Sequence, residues 1–75
     1  MTHEQFDVLT RLMRGDPQSA ANRAARAVLV HGMRPADAMR TTGAKRSTVS
    51  DAVKRYGEAH ADVCRAYLPG KTAGQ

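Results

Sequence analysis

The sequence predicts a small all-α domain. The chain has 75 residues, with one Phe, two Tyr and no Trp, so its core has to be assembled from Ala, Val, Leu and Met, which pack easily on helices. No segment alternates apolar and polar residues with the period of two that marks a half-buried strand. A core of this size is modest, because folding buries only about 60 % of the surface that such a short unfolded chain exposes. We expect a single domain over 1–68, built from about five helices, and a flexible tail over 69–75.

The first helix is predicted by a capping signal and an apolar repeat. Thr2 and Gln5 fit a capping box, in which each side chain accepts a hydrogen bond from the backbone N–H of the other residue. Apolar side chains then recur at steps of three and four residues until Gly15 interrupts the pattern. We place helix one at about 3–14, with an apolar face formed by Phe6, Val8, Leu9, Leu12 and Met13.

The second helix follows at once. Asp16 and Pro17 have the order of an N-cap and a proline at the first helical position, and the helix should run to about His31, with Gly32 as a left-handed cap. Its apolar face consists of small side chains that allow another helix to approach closely: Ala20, Ala21, Ala24, Ala25, Val28 and Leu29. Three polar residues are expected off this face, where contact with a phosphate is no better supported than plain solvation: Asn22, Arg23 and Arg26.

Three further helices complete the predicted fold. Pro35 suits the first turn of a short helix that stops at Gly43. Another helix runs from about Arg46 to Tyr56, where Gly57 could stop or kink it. A fifth helix over 58–68 has Ala59, Val63 and Ala66 or Tyr67 at helical spacing, and Pro69 and Gly70 end it.

Residues 35–56 have the outline of a helix-turn-helix, the motif that places its second helix in the major groove of DNA. Gly43 lies in the turn, where glycine accepts a positive φ at no steric cost. Four apolar side chains are expected to be buried between the two helices: Ala38, Ala44, Val49 and Ala52. Six side chains are expected to face outward, and most of them are short enough to let the helix come close to base edges: Lys45, Arg46, Ser47, Ser50, Asp51 and Lys54.

The positive charge of the chain is concentrated on this motif. The whole chain has a net charge of +5, with 12 Lys plus Arg against 7 Asp plus Glu. Between residues 40 and 55, five cations stand against Asp51 alone, and five minus one gives +4. This excess favours an anionic partner such as nucleic acid, although a solvated basic face on a plain helical hairpin has the same pattern. The five cations are Arg40, Lys45, Arg46, Lys54 and Arg55.

Two segments of the chain match a known sequence pattern. "ARAVLVHG" at 25–32 and "VSDAVKR" at 49–55, with Gly43 between them, resemble the TrfB-related, KorA-like family of plasmid transcriptional repressors. "TxxQF" at 2–6 and "LPG" at 68–70 resemble the family as well. The resemblance implies a helix-turn-helix repressor that binds a palindromic operator as a dimer. Such a protein shuts down promoters on a plasmid or phage, often including its own promoter.

The resemblance also implies roles for single side chains. Arg46 falls where the family has a base-reading arginine, and Asp51 falls where it has a base-reading glutamine. A carboxylate can accept a hydrogen bond from cytosine N4 but repels phosphates, so the operator sequence should differ from the family's. We expect base contacts from Arg46, Ser47, Ser50 and Asp51, and phosphate contacts from Arg40, Lys45, Thr48, Lys54 and Arg55.

Three other positions depart from the family's pattern. Lys45 stands where a threonine caps the recognition helix, Thr42 stands where an apolar residue precedes the turn glycine, and Met39 stands where the residue is usually small. We therefore expect the crossing of the two helices to be slightly altered.

The dimer surface is also expected to differ from the family's. The strand-forming dimerisation part of the family follows the "LP" segment, and seven residues follow Leu68 in this sequence. A homodimer would then use another surface, or no dimer forms. The candidates are helix five, with Val63, Cys64 and Tyr67, and helix one, with Phe6 and Leu9.

Other kinds of site have little support in the sequence. The three His residues are scattered, with no Cys, Asp or Glu beside them at metal-ligand spacing, and no nucleophile elbow or phosphate-binding loop is present. We expect no metal, no cofactor, no small-molecule substrate and no enzymatic activity. Cys64 has no pairing partner for an internal disulfide and fits a small buried residue better than a nucleophile. With no apolar run near the ~20 residues of a membrane span, we expect a cytoplasmic protein without a membrane partner.

Two alternatives to DNA binding remain open from the sequence. A helical protein-interaction module, such as an adaptor or an antitoxin-like subunit, could use the basic helix on an acidic partner. RNA binding is weaker, because the chain has few aromatic side chains on which unpaired bases could stack.

Overall fold

The computed structural model describes residues 1–67, which form four α-helices and no strand: α1 (His3–Leu12), α2 (Ala20–Leu29), α3 (Pro35–Thr42) and α4 (Arg46–Tyr67). The predicted all-α class is confirmed, with four helices rather than five. The predicted tail over 69–75, and the helix end expected at Pro69 and Gly70, lie outside the described residues.

The chain enters α1 through the predicted capping box. The Gln5 backbone N–H donates to Thr2 Oγ1 at 3.1 Å, and the Thr2 N–H donates to Gln5 Oε1 at 3.0 Å. The helix ends two residues earlier than the apolar repeat predicts. Arg14 has a φ of 55°, so the chain already turns there, before Gly15.

The start of α2 differs from the prediction. Ser19 is the N-cap, because its Oγ accepts from the Asn22 N–H at 3.1 Å. Asp16 and Pro17 lie in the preceding turn, in which the Asp16 side chain accepts from the Gln18 N–H at 2.9 Å. The predicted left-handed residue after the helix is confirmed, since Gly32 has a φ of 72° and its N–H donates to the Val28 carbonyl.

One long helix takes the place of the predicted fourth and fifth helices. α4 continues for 22 residues through Gly57, so the expected stop or kink is wrong. A glycine inside a helix costs about 0.5–1 kcal/mol relative to alanine. Packing on both sides of Gly57 offsets this cost, because Tyr56 before it and Ala59 and Val63 after it all contact the same core.

The core consists of two clusters, and α2 packs against all three other helices. The first, which we term the α1-side cluster, contains Phe6, Leu9, Ala25, Ala52 and Tyr56. The second, the turn-side cluster, contains Ala24, Ala27, Ala38, Ala44 and Val49. Val53 of α4 contacts both clusters, so the two clusters form one continuous core along α4.

A buried polar side chain links three of the helices. Asn22, expected off the apolar face of α2 and within reach of phosphate, is only 1 % exposed. Its Nδ2 donates to Thr10 Oγ1 and to Tyr56 Oη, both at 3.0 Å. Asn22 therefore has a structural position in the core and cannot contact DNA.

The other two polar residues of α2 remain at the surface. Arg23 is exposed. Arg26 is half-buried, lies over the ring of Phe6 and forms an ion pair with Asp7 of α1 at 2.8 Å. This contact ties α2 to α1, so Arg26 is occupied within the fold.

Candidate nucleic-acid interface

A tight turn of residues 43–45 joins α3 to α4. Gly43 has a φ of 77°, and its N–H donates to the Met39 carbonyl at 2.9 Å. Thr42 Oγ1 donates to the Ala38 carbonyl at 2.6 Å and accepts from the Ala44 N–H at 3.3 Å. A hydroxyl is therefore tolerated before the turn glycine, because its hydrogen bonds are made within the turn itself.

Three of the four side chains predicted between α3 and α4 are buried there in the turn-side cluster, whereas Ala52 is buried in the α1-side cluster instead. Ala38 is fully buried, and Ala44, Val49 and Ala52 are each less than a tenth exposed. Alanine at the contact allows the two helix backbones to approach closely. Because one side of α4 packs on the core, the opposite side of its first turns faces solvent.

The four residues predicted to contact bases lie together on that outward side. Arg46, Ser47, Ser50 and Asp51 are all exposed. At about 100° per residue, Ser47 and Ser50 lie opposite the buried Val49 and Ala52. Arg46 lies at the edge of this face nearest α3, where it borders a cleft with Pro35 and Ala36.

Of the five residues predicted to contact phosphates, three flank this group and two do not. Lys45 precedes Arg46, and Thr48 and Arg55 lie at the other edge of the face, with Thr48 half-buried and Arg55 exposed. Lys54 is exposed one turn beyond Ser50, near the middle of the face rather than at its edge. Arg40 lies on α3, so the structure does not place it on the α4 face itself.

The cations on the outward face of α4, together with Lys45 just before it, are free, whereas other cations are paired, including Arg65 near the end of α4, which pairs with Asp62 at 2.6 Å. Among residues 1–67, Lys45, Arg46, Lys54 and Arg55 have no hydrogen-bond or ion-pair partner on the protein. Arg40, in contrast, pairs with Asp37 one turn away on α3, although its side chain remains 75 % exposed. The outward face of α4 therefore presents unneutralised donors to an anionic partner.

Sequence reasoning misses a cleft beside Arg46. Its apolar wall is Pro35, Ala36 and Met39 of α3, and its other wall is Arg46 and Ser50 of α4. Met39 is half-buried and packs against the turn-side cluster. The sequence signal for this cleft is Met39, which is larger than the residue usual at its position. Whether Met39 lines a cleft depends on how α3 crosses α4, which the sequence does not give.

A second concave surface lies between α1 and the end of α4. It is lined by Glu4, Gln5, Val8, Leu9, His60, Val63, Cys64 and Tyr67. Of the predicted dimer residues, Phe6 is fully buried and Leu9 reaches the groove with only 4 % of its surface exposed. Val63 and Cys64 are half-buried, and Tyr67 is exposed. Besides Tyr67, the large apolar side chains exposed among residues 1–67 are Val8 and Leu12.

The remaining titratable residues form no metal cluster. Residues 1–67 contain no group of three or more His, Cys, Asp or Glu side chains placed to hold a metal ion. Cys64 is half-buried rather than buried, and its Sγ lies 3.6 Å from His60 Nε2, one turn earlier on α4. No helix of the described chain is long and apolar enough to cross a membrane.

Comparison with known proteins agrees with the resemblance seen in the sequence. The family model described as TrfB plasmid transcriptional repressor (KORA) matches residues 1–68. Comparison with curated proteins and with solved structures gave no match. The family match includes all four helices and the exposed face of α4. The chain therefore belongs to the TrfB plasmid transcriptional repressor family.

Proposed function

We propose that this protein is a sequence-specific double-stranded DNA-binding repressor of a plasmid or phage. In this proposal α3, the turn and α4 act as a helix-turn-helix, and the first turns of α4 enter the major groove. The observation that carries the proposal is the exposed basic face of α4, whose cations are unpaired among residues 1–67. Family membership supports the same function.

Base recognition would come from four side chains. The guanidinium of Arg46 can donate two hydrogen bonds to guanine O6 and N7, the commonest specific contact in the major groove. Asp51 can accept from cytosine N4, and it disfavours a register that brings a phosphate to that position. Ser47 and Ser50 can donate or accept, and their small size lets the backbone of α4 approach the bases.

Phosphate contacts would fix the register without reading sequence. Lys45, Lys54 and Arg55 are exposed and free to neutralise phosphates. Thr48 can add a hydroxyl donor at the edge of the face. Arg40 would contribute a phosphate contact from α3. To do so it has to exchange its ion pair with Asp37 for one with a phosphate when DNA binds.

Repression would follow from occupancy of promoter DNA, including the protein's own promoter, which excludes polymerase. A homodimer on a palindromic operator fits such a helix-turn-helix, because the symmetry of an operator mirrors the symmetry of the protein. The groove between α1 and α4 is the surface we assign to the second copy, since Val8 and Tyr67 line it and remain exposed. The protein would act in the cytoplasm, where the DNA lies.

The experiment that tests this function is selection of bound duplexes from a random pool, followed by a salt titration. We expect a palindromic sequence to be enriched. The four predicted phosphate-binding cations should give a slope of log K against log salt of about −3 to −4 per subunit. Enrichment of no sequence, together with binding that does not respond to salt, would instead favour a protein-interaction module with an acidic partner.

A further inference from the structure

The cleft between α3 and α4 has an apolar wall, which the proposed hydrogen bonds from Arg46 and Ser50 to DNA do not use. Three of its five lining residues, Pro35, Ala36 and Met39, are apolar, and they stand beside the donors of Arg46 and Ser50. Pro35 and Ala36 are exposed, and Met39 is half-buried. An apolar surface at the edge of a basic face fits a partner that combines negative charge with an apolar group.

DNA offers one such group in the major groove. Each base pair presents hydrogen-bond donors or acceptors there, but only thymine adds a C5-methyl group. Arg46 borders the cleft, so a base that it contacts has a neighbour in the stack close to Met39 and Ala36. The positive charge of the α4 face brings this edge of DNA, rather than an apolar protein segment, to the cleft.

We propose that the cleft receives the C5-methyl group of a thymine next to the guanine that Arg46 contacts. Met39 is then a specificity-determining residue, and Ala36 and Pro35 complete the apolar contact. This inference rests on the proposed function, and it adds one position to the sequence that the protein reads.

A phosphate is the other part of DNA that could approach the cleft, and its chemistry fits less well. A phosphate there could accept hydrogen bonds from Arg46 and Ser50, but the rest of it would lie against three apolar side chains that offer none. It would also lie near Asp37, the residue after Ala36, whose carboxylate repels it. Pairing with Arg40 reduces that repulsion but leaves no net attraction from the pair.

The test uses the full chain and the duplex that the selection identifies. Each thymine is replaced in turn by deoxyuridine, which removes the methyl group and leaves every hydrogen-bonding group unchanged. We expect one position per half-site to bind about threefold to fourfold more weakly after replacement, the effect of one buried methyl group. Other thymines should change the affinity much less.

Variants of Met39 connect this effect to the cleft. Met39→Ala should bind the thymine and deoxyuridine duplexes equally, and Met39→Leu should keep most of the preference because it keeps an apolar side chain. Met33→Ala is the matched control, since Met33 packs against the same turn-side cluster but does not line the cleft. Thermal unfolding of each variant shows whether it is folded at the temperature of the binding assay.

The outcomes separate this inference from the proposed function. Selection of an operator that shows no sensitivity to deoxyuridine overturns the methyl contact and leaves the repressor function standing. Equal sensitivity in the wild type and in folded Met39→Ala also overturns it, because the methyl group then lies elsewhere. Failure to select any duplex removes both proposals.

Discussion

Arg46 and Lys54 are both exposed cations on α4, but we expect different contacts from them. Arg46→Ala should cost about 1–3 kcal/mol on the selected operator and flatten discrimination at one base pair of each half-site, because a bidentate guanine contact is lost. Lys54→Ala should weaken all duplexes alike and lower the salt slope by about one unit. Titration of both variants against the operator and a scrambled duplex measures the difference.

The position of Lys54 on α4 allows a second outcome of this comparison. Because Lys54 lies near the middle of the outward face, one turn beyond Ser50, it is close enough to the base-reading group to take part in it. A loss confined to the operator in Lys54→Ala would move Lys54 into the base-reading group. Equal behaviour of Arg46→Ala and Lys54→Ala on every duplex would contradict the roles of both.

Gly15 lies where the buried hydrogen-bond network of Asn22 leaves no room for a side chain. A Cβ at this position would collide with the Tyr56 hydroxyl, which accepts from Asn22 Nδ2. Gly15→Ala should therefore destabilise the fold by about 1–3 kcal/mol, as overpacking of a core does. Urea unfolding of the wild type and the variant measures the cost.

A double-mutant cycle identifies the cause of this loss. Tyr56→Phe removes the hydroxyl that a Cβ at residue 15 would meet. In the Tyr56→Phe background Gly15→Ala should cost much less than in the wild type, because the two changes share one contact. Additive costs would show that the collision is not what excludes a side chain at Gly15.

Asn22 illustrates which positions a sequence pattern misplaces. Helical spacing assigns Asn22 to the polar side of α2, and the predicted apolar face of α2 does not include Ala27, yet both residues are buried. Spacing along α2 says nothing of Thr10 and Tyr56, which come from distant parts of the chain and supply the polar contacts. By contrast, burial of Ala38, Ala44 and Val49 between α3 and α4 is confirmed, because a short turn fixes which faces of the two helices meet, whereas Ala52 is buried in the α1-side cluster.

The two glycines of the α3–α4 region have opposite roles in their elements. At both Gly43 and Gly57 a Cβ would meet nothing within 4 Å, so only the backbone distinguishes them. Gly57→Ala should stabilise the protein by about 0.5–1 kcal/mol, because it lies inside a continuous helix. Gly43→Ala should destabilise it by about 1–2 kcal/mol, because its φ of 77° is left-handed.

Unfolding and DNA affinity measured together distinguish a rigid α4 from a hinged one. A rigid helix predicts that Gly57→Ala gains stability and keeps its affinity for the operator. Loss of affinity with a gain in stability would mean that α4 has to bend at Gly57 on DNA, so that the expected kink applies to the bound state.

The boundaries of the elements were predictable only where local chemistry decides them. The capping box of α1 and the left-handed glycines 32 and 43 are properties of a few adjacent residues, and all are confirmed. The continuity of α4 is not local. From the sequence alone, Gly57 fits a helix end. The helix continues because the apolar residues on both sides of Gly57 pack on the same cluster, which is a tertiary effect.

The length of α4 connects the basic face to the proposed dimer surface. Ser50 precedes Val63 by 13 residues (63 minus 50), about 20 Å along the helix axis. Two copies that meet near Val63 can therefore place their Ser50 residues up to about 40 Å apart. If the two helices are inclined to each other, this distance shortens to roughly 34–36 Å, which is the distance between half-sites one turn of DNA apart. In such a dimer, a single uninterrupted α4 would fix this spacing.

Introduction of a negative charge in the groove tests whether the second copy binds there. We expect the wild type to sediment as a dimer at micromolar concentration. Val8→Glu should sediment as a monomer, because it places a carboxylate in an apolar surface beside Glu4, and its affinity for the full operator should fall to that for one half-site. Ala61→Glu is the matched control, since Ala61 is exposed on α4 outside the groove and takes the same change of charge.

Sedimentation and stoichiometry together decide between the two arrangements of the molecule on DNA. A wild-type monomer that binds one protein per site would remove the dimer and with it the need for a palindrome. A wild-type dimer that Val8→Glu leaves intact would keep the symmetry but place the interface elsewhere, and α4 would then no longer set the half-site spacing. Because that spacing follows from where along α4 the copies meet, the operator length measured by selection has to agree with the surface identified by sedimentation.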